Sequence, residues 1–233
     1  MQASRGDGLG GKGIVLLPKS GTYTKVVLWF HGLGDTADGW GGLMPELKVD
    51  DCKIILPTAP ERPISINGGY EMPGWSDIFG LDMEANEDAA GFGESAARVN
   101  ALIKQEMDKG IPSSKIVLGG FSQGGALALH VALRSPISLA GCVALSSWLP
   151  MRKDFPAALS PASKTLPILQ VHGDADQVVN YMWGENSHKL ISTMIPTPKP
   201  KFMTIPGMGH SSHPDEIDAV KVFINEQLDK SCS

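Results

Sequence analysis

Cysteine is scarce in this chain. Three occur in 233 residues, Cys52, Cys142 and Cys232. An odd count without regular spacing excludes a disulfide framework and favours a reducing compartment. Cys52 and Cys142 lie in apolar runs and are expected as buried free thiols. Positive charge is not in excess either: 20 Lys and Arg stand against 25 Asp and Glu, a formal net charge of −5. Nucleic-acid binding needs a dense basic patch to neutralise phosphates, and an anionic membrane attracts a polybasic stripe; the sequence has neither. No apolar run approaches the ~20 residues that span a bilayer. The opening MQASRGDGLGGKG has no apolar signal-peptide core. Residue 2 is Gln rather than the Gly of a myristoylation site, and Cys232 is second rather than fourth from the end, where a prenylation box would place it. The expectation is a cytoplasmic protein with no nucleic-acid partner and at most peripheral membrane contact.

Apolar residues make up 42% of the chain and charged residues 19%, which is the balance of a globular domain. The Gly-rich residues 1–12 read as a flexible tail, and 13–233 as a single domain of ordinary size. The tail holds a G-x-G-x-x-G match at Gly8, Gly10 and Gly13. No strand precedes it, so it is not a dinucleotide fingerprint; nor is it a phosphate loop, because Gly13 follows Lys12 where Ser or Thr would hold magnesium.

Beyond the tail, apolar β-branched runs predict strands buried on both faces at 14–17, 26–30, 53–56, 115–118, 140–145, 168–171 and 201–205. Helical patterns alternate with them. Glu84–Asp108 carries Phe92, Ala96, Val99 and Ile103 at helical spacing, with Gly110 as a stop. The stretch 124–134 is apolar all round, as in a buried helix; 181–195 and 215–228 complete the set. This alternation predicts an α/β fold with a single doubly wound, mostly parallel sheet and helices on both faces. The segment 57–82, rich in Pro and Gly, is read as a long loop forming a wall of the binding site.

The chemical signal is Gly120-Phe121-Ser122-Gln123-Gly124, the only G-x-S-x-G in the chain, set between a strand and an apolar helix. That is the context of a nucleophile elbow and of the α/β-hydrolase fold. A serine exposed at such a turn occupies strained backbone, and the close flanking chains require positions two before and two after to be nearly side-chain-free. Serine also needs a base, and the base an orienter; this fold supplies them in the order Ser, acid, His. Among six histidines, His31 and His172 stand in strand-end HG pairs that suit structural hydrogen bonds. His130 lies in the apolar helix, and His188 within a later one. His210, in GMGHSS after the last strand, is the natural base; His213 reads as the approach to the final helix. The acid is Asp174 or Asp176 in HGDAD, the former placed to tie down its turn. The oxyanion hole is expected from the backbone N–H of Gln123 and of Leu33 in HGLG. His210, His213 and Asp215 lack an accompanying HExxH or Cys cluster, so no metal is expected.

HGLGDT, APERPISINGGYEMPGWSDIFGLD, GFSQGG, LSSWLP, HGDAD and GMGHSS, in this order, resemble the acyl-protein thioesterase and lysophospholipase-like carboxylesterase family over nearly the whole chain. The resemblance implies hydrolysis of S-palmitoyl thioesters on proteins, with S-acylated proteins or acyl-ester lipids as substrates. It implies Ser122, Asp176 and His210 as a triad, and so chooses Asp176 over Asp174. It further implies no cofactor, an acyl channel near Trp75, Phe79 and Trp148, and a weak homodimer. The chain departs from the family at the acid loop, where Asp-Pro-x-Val-Pro is replaced by Asp176-Gln177-Val178-Val179-Asn180. Losing both prolines is expected to loosen that loop. A general carboxylesterase or lysophospholipase would use the same triad, and a binding protein on the same fold would bind without turnover.

Overall fold

Alternate residues of the strand Lys25–Phe30 face two different cores. Val26, Leu28 and Phe30 belong to one buried cluster, Val27 and Trp29 to the other. A strand apolar on both faces must be covered on both, and this requirement organises the molecule. The computed structural model describes residues 1–80 and 85–230. Its strands are β1 (Gln2–Arg5), β2 (Gly13–Leu17), β3 (Lys25–Phe30), β4 (Cys52–Pro57), β5 (Glu61–Ile64), β6 (Tyr70–Pro73), β7 (Ile116–Phe121), β8 (Gly141–Leu145), β9 (Ile168–Gly173) and β10 (Lys201–Ile205). Its helices are α1 (Asp38–Gly41), α2 (Ala89–Asp108), α3 (Gln123–Arg134), α4 (Tyr181–Met194) and α5 (Pro214–Asp229).

Eight strands form one sheet in the order β1-β2-β4-β3-β7-β8-β9-β10. Pairing is parallel from β4 to β10 and antiparallel only for β1–β2 and β2–β4. Helices α2, α3 and α4 supply one core, α1 and α5 the other. The chain winds outward from β3 toward β4 on one side and from β7 toward β10 on the other. The carboxyl ends of β3 and β7 therefore meet at the point where strand order reverses, the place where open α/β sheets hold their ligands.

The seven predicted strands and the helices α2 to α5 are present, most with ends shifted by one to three residues. Helix α2 starts at Ala89 because the Asp88 side chain caps it, accepting the Gly91 N–H at 2.9 Å; the expected start at Glu84 lies outside the described residues. Gly110 ends α2 with φ +95°. Cys52 and Cys142 are buried free thiols, and burial pushes Cys52 up to about 12; Cys232 lies outside the described residues.

Two expectations are corrected. Residues 1–12 are not a loose tail. Residues 2–5 add an antiparallel edge strand to β2, and the fully buried Asp7 accepts the N–H groups of Leu9 and Gly11 at 2.9 and 2.8 Å and pairs with Arg98 of α2. Gln105 of α2 adds a bond to the Gly8 carbonyl at 2.7 Å. A Gly-rich segment is loose only until a long-range partner satisfies it. The part of the segment 57–82 that is described, 57–80, is likewise not structureless: β5 and β6 pair as a hairpin, two four-residue strands too short to show a period.

Candidate active site

Ser122 follows the last residue of β7 and precedes α3. Its φ of +54° lies in the left-handed region, the strain expected of an elbow. A Cβ on Gly120 would come 2.5 Å from the carbonyl carbon of Gly124 and 2.6 Å from the Phe30 oxygen; on Gly124 it would overlap the Phe30 and His31 carbonyls. Both glycines are thus required by close approach. The elbow is anchored by the Ser122 N–H on the Leu145 carbonyl at 2.8 Å and by the Ser147 hydroxyl donating to the Ser122 carbonyl at 2.8 Å.

His210 reaches this serine from the loop after β10. Its Nε2 lies 3.0 Å from Ser122 Oγ and its Nδ1 2.7 Å from Asp176 Oδ2. Asp176, on the loop after β9, accepts the N–H groups of Val178 and Val179 on Oδ1 at 2.9 and 3.0 Å. His172 Nε2 stands 3.4 Å from Oδ2 while bonded to the Val179 carbonyl at 2.8 Å. Burial alone would raise the Asp176 carboxyl, but His172, His210 and the Val178 N–H hold it well below the usual carboxylate range. The carboxylate therefore stays ionised beside the imidazole. Asp174 points elsewhere: it is exposed and accepts the Gly207 N–H at 2.7 Å, tying down a turn. These bonds hold the acid loop.

His130, His188 and His213 have other surroundings. His130 is buried against Phe92, and burial lowers its pKa to about 4. His188 is half-buried against Phe202, and His213 caps α5 by accepting the Asp215 N–H at 3.2 Å.

Gln123 opens α3, and the Leu33 loop borders the same cavity as the serine. This cavity of about 480 Å³ is lined by Ser122 and His210 together with Ile78, Phe79, Phe92 and Trp148; its size suits a small-molecule or acyl ligand. Phe79 and Trp148 thus stand where a channel was expected. Trp75 does not line it. Only 1% exposed, it lies behind the wall, its N–H accepted by the Gln123 side chain at 2.9 Å and its indole N–H by the His31 carbonyl at 2.8 Å. The Gln123 amide nitrogen also donates to the Ser76 carbonyl at 2.8 Å. Sequence reasoning had no signal for this role of Gln123, since it depends on a loop about 47 residues away in sequence. His172 makes the structural hydrogen bond expected of it, to the Val179 carbonyl, and its contact with Asp176 was not foreseen; Ser147 was missed as a support, although it sits inside the recognised segment LSSWLP.

A profile of the phospholipase/carboxylesterase family matches residues 13–228. The chain belongs to that family. Members similar to it include acyl-protein thioesterase 1 of Neurospora crassa, 44% identical over 93% of this chain and 92% of its own, and acyl-protein thioesterase 1 homolog 1 of Dictyostelium discoideum, 38% identical over 90% and 93%. Among solved structures, acyl-protein thioesterase 2 of Zea mays superposes with a TM-score of 0.85 at 33% identity, covering 94% of this chain and 99% of the maize one. The family fold is that of the α/β-hydrolases, and this member is a hydrolase with the elbow at the carboxyl edge of its parallel sheet.

Proposed function

We propose that this hydrolase cleaves long-chain S-acyl thioesters on proteins through an acyl-enzyme on Ser122. The observation that carries the reading is the continuous relay from Asp176 through His210 to Ser122, with spacings of 2.7 and 3.0 Å, opening onto an apolar cavity. His210 takes the Ser122 proton as Oγ attacks the acyl carbonyl. Asp176 fixes the ring so that Nδ1 carries the other proton and stabilises the imidazolium that forms. The tetrahedral oxyanion is held by the N–H groups of Leu33 and Gln123, the latter at the positive end of α3. Collapse expels the cysteine sulfur as a thiolate, which takes the proton from His210 and departs as the thiol, leaving the acyl group on Ser122. Water, deprotonated by His210, then releases the fatty acid and restores the serine.

The similar proteins named acyl-protein thioesterases support a protein thioester as the acyl donor. An oxyester such as a lysophospholipid would react by the same steps, and the family's description as phospholipase and carboxylesterase favours this second reading. A substrate panel separates them: S-palmitoyl peptide, lysophosphatidylcholine and a short p-nitrophenyl ester, compared by kcat/KM. Preference for the palmitoyl peptide is expected, and preference for either ester would replace the first reading with the second. We also propose residues 13–233 as one catalytic domain and the cytoplasm as its place of action. Among the described residues, no helix is long and apolar enough to cross a membrane.

A further inference from the structure

The N–H assigned to the oxyanion from Leu33 belongs to the same peptide plane as the Gly32 carbonyl. In a trans peptide these two groups point in opposite directions, so whatever holds the carbonyl aims the N–H. The Gly32 carbonyl is held by its neighbour's side chain: His31 Nδ1 lies 2.7 Å from it. The tautomer is settled by the opposite ring nitrogen. His31 Nε2 lies 3.0 Å from the backbone nitrogen of Ala59, and a backbone N–H can only donate, so Nε2 is the bare acceptor. The ring proton then sits on Nδ1 and is donated to the Gly32 carbonyl. The imidazole is 1% exposed, and burial lowers its pKa against the opposing pull of the Gly32 bond and the Asp35 charge, which keeps the ring neutral. The surrounding chain is held as well. The Trp75 indole donates to the His31 carbonyl at 2.8 Å, and the Gly34 N–H donates to the Pro73 carbonyl at 2.8 Å. Gly32 itself sits close against the nucleophile, a Cβ there coming 3.4 Å from Ser122 Cβ.

We infer that His31 is a positioning residue for the oxyanion hole: its Nδ1–H turns the Gly32 carbonyl away from the reacting centre and thereby points the Leu33 N–H toward it. His31 touches no substrate and transfers no proton. The inference rests on the proposed role of the Leu33 N–H. The competing role is structural, in which His31 merely fills a buried slot and satisfies the Ala59 N–H.

The two ring nitrogens can be tested separately. The Asn amide nitrogen falls near the position of Nδ1, and the Gln amide oxygen near that of Nε2. His31→Asn therefore retains a donor for the Gly32 carbonyl and gives up the acceptor for Ala59; His31→Gln does the reverse. Losing a whole oxyanion donor costs roughly 10²–10³ in kcat, and misaiming one should cost less. His31→Gln is expected to lower kcat on a short p-nitrophenyl ester roughly 10- to 100-fold with KM within about twofold, and to weaken an arylboronic acid inhibitor in parallel, because its tetrahedral adduct uses the same N–H. His31→Asn is expected to keep kcat within about fivefold of the parent even where its Tm is the lower of the two. Wild-type kcat in His31→Gln, or activity that follows Tm rather than the retained donor, overturns the inference. If His31→Gln does not yield folded protein, His31→Asn decides alone: retained turnover supports the role, and a loss of more than tenfold in folded protein refutes it. A parent enzyme inactive on every ester and thioester would sink the proposed function instead, so the two failures are distinguishable.

Discussion

Two aspartates two positions apart have opposite assignments, and substitution separates them. Asp176 meets His210 at 2.7 Å, whereas Asp174 holds only the Gly207 N–H. Asp176→Asn presents the wrong hydrogen-bonding partner to Nδ1 and should lower kcat by about 10³- to 10⁴-fold. Asp174→Asn should leave kcat within a few-fold and cost about 0.5–1.5 kcal/mol of stability. Steady-state kinetics and urea unfolding on both variants check this. A second residue-scale prediction concerns Glu216 near the start of α5, fully buried, whose carboxyl has no cationic partner among the described residues and only the His213 backbone N–H to pull against its burial. Burial pushes its pKa up to about 8. The folded state thus keeps a proton that the unfolded chain has released above ~4.3, so stability falls as pH rises from about 4 to about 8. Glu216→Gln should remove that loss, raising Tm at pH 8 and giving no gain at pH 4; an equal Tm change at both values would exclude the linkage. At this scale spacing and order in the sequence singled out Ser122 and His210, which the structure brings within 3.0 Å of one another. Residue pattern alone only leaned toward Asp176 over Asp174, because both carboxylates leave the same strand end; the family resemblance chose Asp176, and the folded loop brings that carboxylate to His210.

Elements are joined by bonds of a kind that no local pattern reports. Glu106 of α2 is fully buried and is met at 2.7 Å by Lys53 of β4 and by Lys109, and at 2.8 Å by the Tyr23 hydroxyl. Burial alone would raise its pKa, but these donors hold the carboxyl below its ordinary value. Glu106→Leu leaves the Lys53 ammonium, 8% exposed, without its counter-charge and should cost about 3–5 kcal/mol, whereas Lys53→Met combined with Glu106→Leu should recover most of that loss. Urea midpoints of the single and double variants measure the coupling. The strands themselves were legible because their apolar runs are long relative to their neighbours. The β5–β6 hairpin and the start of α2 were not. Four-residue strands carry no readable period, and the α2 boundary is set by Asp88, which both caps the helix and accepts the Asp77 N–H at 2.8 Å.

For the molecule as a whole, the amino-terminal segment is a clasp on the sheet edge and on α2. Deleting residues 1–12 removes β1 and strips Arg98 of Asp7. Tm should fall by several degrees, since 1 kcal/mol corresponds to roughly 2–4 °C for a chain of this size; an unchanged Tm would restore the reading of a loose tail. Sequence alone determined the α/β class, the strand-to-helix turn at Ser122 with its two glycines, and the chain order of Ser122, Asp176 and His210. These are encoded in periodicity, spacing and composition, all local along the chain. Tertiary structure decided the N-terminal clasp, the place of Trp75 behind rather than inside the cavity wall, the support of Asp176 by His172, and the tautomer of His31. Each depends on which distant donor meets which acceptor, and a buried polar group takes the partner that packing brings to it.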